Sequence, residues 1–150
     1  MSHYKRLLVA VDFSDPSVRA LQVARDLGKQ LNAGLDIVHF VPIRIIGIDM
    51  EGMEAEAVYI EELHKSDLKE AGDKLENFIK QYTTDEDDIE HHLYSGEPAN
   101  EINVKATETD ADMIIIGTHG RSGLKHMILG SIAESVLRTA QVPVLCVRTG

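Results

Sequence analysis

Short, almost continuously apolar runs alternate along this chain with longer stretches in which apolar residues recur every third or fourth position. Residues 7–11 form the first such run, which ends at Asp12 and suits a strand covered on both faces. Ala20, Leu21, Ala24, Leu27 and Leu31 then recur at helical spacing, with Arg19, Arg25, Asp26 and Lys29 on the other faces. Ser14 or Asp15 is placed to cap that helix, Pro16 fits its first turn, and Asn32-Ala33-Gly34 stops it. Residues 35–42 read as a second strand. Residues 43–56 carry Ile45, Ile46, Ile48, Met50 and Met53 with no period and read as a mobile excursion, either a loop packed on its own domain or a cover for a ligand or partner. Leu68, Ala71, Leu75, Phe78, Ile79 and Tyr82 mark a long helix from about residue 57 to 82. The acidic residues 85–88 make a solvated loop, residues 89–94 a third strand, and Gly96-Glu97-Pro98 a turn into a short helix with Ile102 and Ala106 inward. Residues 113–116 give a fourth strand. Ile132, Ala133, Val136, Leu137 and Ala140 give the last helix, and residues 143–147 the last strand. Strands alternating with helices imply one α/β domain over residues 1–150, a doubly wound parallel sheet with helices on both faces.

Composition narrows the function classes. The 150 residues suit one domain, and 43% hydrophobic with 27% charged residues is ordinary for a globular chain. No apolar run approaches a membrane span, and acidic and polar residues interrupt the first segment too early for a signal peptide, so no membrane insertion and a cytoplasmic location are expected. A net charge of -10 disfavours nucleic acid and acidic surfaces, yet leaves room for a single nucleotide, whose phosphates answer to local N–H groups and cations. The one cysteine, Cys146, sits in an apolar run and reads as a small hydrophobe. The histidines show no metal-ligand spacing. His91 and His92 point to opposite faces of a strand, and His39 lies in an apolar one.

The chemistry concentrates between Met113 and Ser131. There a strand breaks into a loop with Gly117, Gly120 and Gly123, and a second turn at Gly130-Ser131 starts a helix. Glycines let backbone N–H groups approach an anion, and the helix N-terminus adds partial positive charge. Ser131 with Glu134 also fits a capping box, so the serine has a purely structural reading as well. Ligands in such sheets sit beyond the carboxyl ends of strands where strand order reverses. If strands one and four are neighbours there, Asp12 and Gly117 face each other across one crevice. Asp12 alone also fits a turn or cap acid.

Gly117, Gly120, Gly130 and Ser131 form G-x2-G-x9-G-S, and with VAVDFS, GEPANEI and PVLCV in order the whole chain resembles the universal stress protein family in its ATP-binding branch. The resemblance implies a five-stranded sheet in the order 3-2-1-4-5 with ATP, accompanied by Mg or Mn, between strands one and four. It implies that Asp12 and Val41 lie on the adenine side, that Gly117 meets the ribose, and that Gly120, Gly130, Ser131 and the backbone of Ile132 hold phosphates. Arg121, Lys125 and His126 are further candidate cations for the phosphates.

The function expected is an ATP-binding regulatory or stress-response protein whose nucleotide state changes its contacts with a regulated partner. It is expected to be a homodimer, because the last strand, between Val142 and Val147, would be a bare apolar edge in a monomer. The sequence has no evident water-activating base and no G-K-[ST] ending, so catalysis is at most slow ATP hydrolysis or self-phosphorylation. The rival readings are a nucleotide-free scaffold dimer and, by architecture alone, an adenine nucleotide α-hydrolase, for which VAVDFSDP supplies no glycine-rich loop.

Overall fold

A computed structural model describes residues 3–44, 53–119 and 129–149, with side chains in the long second helix from Tyr59 onward. The elements run β1 (Arg6–Ala10), α1 (Asp15–Leu31), β2 (Gly34–Val41), α2 (Met53–Tyr82), β3 (Ile89–Ser95), α3 (Pro98–Glu108), β4 (Met113–Gly117), α4 (Ser131–Thr139) and β5 (Val144–Val147). The five strands form one parallel sheet, as the strand–helix alternation anticipated, in the order β3-β2-β1-β4-β5 that the family resemblance implied.

The period-2 alternation of β1 divides the core. Leu7, Val9 and Val11 face one side with Leu21 and Ala24 of α1 and Leu75 and Phe78 of α2, while Leu8 and Ala10 face the other with Ile102 of α3 and Val136 of α4. Helices on both faces explain why the central strands read as unbroken apolar runs rather than alternating ones. β3 is an edge strand and behaves differently: Glu90 and His91 are exposed. Among the described residues no helix is long and apolar enough to cross a membrane.

Several details differ from the sequence reading. α2 begins at Met53, inside the stretch read as an excursion, and residues 45–52 of that excursion lie outside the described residues. Arg44, just after β2, makes a two-pronged pair with Asp67 of α2 at 2.8 and 2.9 Å, which ties the helix to the end of the sheet. Leu137, placed on the inward stripe of the last helix, is 43% exposed. Ser14 is the residue before α1, but its hydroxyl makes no capping bond and turns back to Asp12 instead.

Candidate functional site

The carboxyl ends of β1 and β4, paired from Leu7 with Met113 to Ala10 with Ile116, open into a cleft of about 290 Å³. This is the point where strand order reverses. From β4 the chain passes to β5 on one side, and from β1 to β2 on the other. The β2 and α3 side of the cleft is largely apolar, with Phe40, Pro98 and Ile102. The β4 and α4 side carries Thr118, His119, Gly130 and Ser131, and Asp12 and Ser17 stand in the wall at the end of β1.

The first turn of α4 supplies the donors. Gly130 precedes the helix with φ -71° and ψ 162°, and the first intrahelical bond runs from the Glu134 N–H to its carbonyl at 3.0 Å. The N–H groups of Ser131, Ile132 and Ala133 therefore have no partner within the helix, and these residues line the cleft. The Gly130 N–H itself donates to the Thr118 carbonyl, which ties the helix start to the end of β4. Ser131 is the first helical residue rather than the cap, and Glu134 pairs with Arg138 at 2.6 Å, so no capping box forms. That removes the structural reading of the serine and leaves its hydroxyl exposed at the cleft.

Asp12 is held tightly. Its Oδ1 accepts from the Ser14 N–H at 3.0 Å, from the Ser14 hydroxyl, and from the Ser17 hydroxyl at 2.7 Å. Its own N–H donates to Ser17 Oγ at 2.8 Å. The next residue, Phe13, has φ 67°, in the left-handed region that an aromatic residue rarely adopts. Its ring packs on His39 with centroids 4.3 Å apart and edge-on against Phe78 at 5.5 Å. His39 Nδ1–H donates to the Val11 carbonyl at 2.7 Å, fixing the tautomer of an imidazole that lines the cleft.

Gly117 also lines the cleft, and its lack of a side chain has a reason within the fold. A Cβ there would lie 2.7 Å from Pro16 Cβ and 3.0 Å from the Pro16 carbonyl carbon, so the glycine lets the first turn of α1 dock on the end of β4.

Asp12, Gly117, Gly130, Ser131 and Ile132 thus come together around one cleft. Gly120 and Arg121, with Lys125 and His126, lie outside the described residues. Val41 is 7% exposed and stands outside the cleft wall, with its carbonyl accepting the Gly96 N–H at 2.9 Å. Phe40, its neighbour in β2, lines the cleft together with His39, and the sequence reading singled out neither for the site. Ser17 was also missed, although its place five residues after Asp12, in the first turn of α1, was legible.

Among the described residues, Asp36, Glu90 and His92 are the group close enough to share a cation, but Arg6 already occupies that role. Its guanidinium bonds both oxygens of the buried Asp36, at 2.7 and 2.6 Å, and reaches Glu90 at 2.9 Å.

Comparison with known proteins agrees with this geometry. The sequence profile of the Universal stress protein family matches residues 3–148. The chain is 33% identical over 146 residues to universal stress protein MJ0531 of Methanocaldococcus jannaschii, covering 97% of this chain and 82% of that protein. The solved structure of MJ0577 from the same organism superposes with a TM-score of 0.84 at 26% identity, covering 99% of each chain. A universal stress protein from Archaeoglobus fulgidus, solved in complex with dAMP, superposes with a TM-score of 0.58 at 28% identity, covering 95% of this chain and 97% of the other. A family profile matching nearly the whole chain, a relative 33% identical over 146 residues and a superposition covering 99% of both chains lead to one conclusion: the chain belongs to the universal stress protein family.

Proposed function

We propose that this chain binds an adenine nucleotide, with ATP as the physiological ligand, in the cleft between β1 and β4. The observation that carries the reading is the first turn of α4, whose leading N–H groups have no partner within the helix and which brings Ser131 to a cleft also lined by Gly117 and Gly130. Phosphates would lie at that end, on Gly130, Ser131 and the backbone of Ile132, with Gly120 and Arg121 contributing from the loop and any Mg or Mn carried on the phosphates. The nucleoside would lie toward Asp12, Gly117 and the apolar side with Phe40, one residue before Val41. The dAMP complex of the Archaeoglobus relative supports a ligand of this class.

The nucleotide acts in this reading as a regulatory signal that changes contacts with a partner protein in the cytoplasm. The protein works as a homodimer through β5, a four-residue edge strand. The test is direct. Purified protein is denatured and the supernatant run on an ion-exchange column, with calorimetric titration of ATP alongside. Absence of adenine nucleotide together with absence of heat would end the binding claim. Slow phosphoryl transfer is the second reading, favoured by His119, whose imidazole lines the cleft beside Thr118 with Nδ1 3.0 Å from the threonine hydroxyl. Phosphate release over hours at saturating ATP measures it.

A further inference from the structure

Ser17 is one of the few buried polar residues among those described, at 4% exposure, and it lies in the first turn of α1. Helix α1 has no need of its hydroxyl: the helix opens with the Val18 N–H bonding the Ser14 carbonyl at 3.0 Å. That hydroxyl instead faces back to Asp12, accepting its N–H at 2.8 Å and donating to its Oδ1 at 2.7 Å. Backbone and side chain of Asp12 are gripped by one group. The grip is placed in turn by the opposite wall, because Gly117 of β4 allows Pro16, the residue before Ser17, to approach within the space a Cβ would fill.

We propose that Ser17 is a positioning residue of the cleft, holding the Asp12 carboxylate as the acceptor for the nucleoside end of the ligand. This rests on the nucleotide reading above. The division of the cleft follows from charge. A carboxylate accepts hydrogen bonds from sugar hydroxyls or an amino group and repels phosphate, whereas the start of α4 attracts phosphate. A residue that orients Asp12 therefore acts on the nucleoside end alone.

The experiment compares ATP with tripolyphosphate, which keeps the phosphates and lacks the nucleoside, by calorimetry on the wild-type chain and on Ser17→Ala. Ser17→Ala removes both hydrogen bonds to Asp12, and loss of the one that orients the carboxylate corresponds to about a tenfold weaker ATP affinity. Tripolyphosphate affinity is expected to stay at its wild-type value. Wild-type ATP affinity in Ser17→Ala, or equal losses for both ligands, would overturn the proposal, since a merely structural serine loosens the whole cleft or none of it. ATP binding without tripolyphosphate binding in the wild-type chain would also overturn it, by removing the phosphate end. Failure of the wild-type chain to bind either ligand would instead refute the nucleotide reading beneath it. If circular dichroism shows Ser17→Ala unfolded, Ser14→Ala carries the same comparison, because it removes a hydroxyl donor to the same Oδ1 from a half-buried position.

Discussion

Replacing Gly117 by alanine adds one methyl group at the most crowded point of the cleft wall. The added Cβ would sit 2.7 Å from Pro16 Cβ, 3.0 Å from its carbonyl carbon and 3.1 Å from its carbonyl oxygen. Ordinary carbon contacts lie at about 3.5–4.0 Å, so α1 must withdraw by about 1 Å, and two of the three colliding atoms are backbone that cannot rotate aside. Overpacking of this kind costs about 1–3 kcal/mol. At about 2–4 °C per kcal/mol for a domain of this size, a loss of about 2 kcal/mol lowers the thermal midpoint by about 4–8 °C. The strain falls on the turn that carries Ser17, so ATP affinity should fall as well. Gly72→Ala is the internal control. Its Cβ would meet only the tip of Leu93 at 3.8 Å within helix α2, so the midpoint should rise, by the equivalent of about 0.5–1 kcal/mol. Differential scanning fluorimetry of both variants decides the matter. A Gly117→Ala midpoint within about 1 °C of wild type would refute the close-packing argument.

Gly130→Ala should fold normally, because its φ of -71° suits any residue, yet lose ATP by calorimetry if the cleft needs that backbone bare; unchanged affinity would count for the scaffold reading. Asp87 is 3% exposed; burial pushes its carboxyl up, but the Thr84 N–H, Arg25 and Lys29 together outweigh this and hold it below its usual range. Its contribution to stability is therefore complete above about pH 4 and disappears as pH falls through the lowered folded value. Arg25→Ala, leaving that carboxylate with Lys29 at 3.4 Å and the Thr84 N–H, should cost about 2–3 kcal/mol in urea denaturation at pH 7 and progressively less as pH falls through the lowered folded value; a pH-independent loss would contradict the pairing. Burial pushes the Cys146 thiol up, so iodoacetamide at pH 8 should label it more slowly in the folded chain than in urea, and equal rates would place the thiol in solvent. Gel filtration across a dilution series tests the β5 dimer, which a monomer mass at all concentrations would exclude.

Much of the architecture was legible because burial leaves a periodic trace. Helix α1 and the four-residue core of β1 could be read from residues 7–31, since β1 is covered on both faces and α1 on one. Boundaries were less legible. The start of α2 at Met53 escaped notice because Met53, Ala55 and Ala57 form no continuous apolar stripe with the later turns. Leu137 fitted the inward spacing of α4 and is nonetheless exposed, since spacing selects a stripe but not how wide a stripe its neighbours cover.

Sequence alone determined the alternation of strand and helix, the parallel sheet, and the glycine and serine positions that the family resemblance drew to a nucleotide, because each rests on local backbone chemistry or on a period along the chain. Only tertiary structure decided which residues share the cleft. Phe40 stands in its wall while Val41 does not, Ser131 starts α4 without capping it, and Gly117 is bare for Pro16, a residue 101 positions earlier in the chain. Contacts between distant segments are set by packing, and packing leaves no period to read.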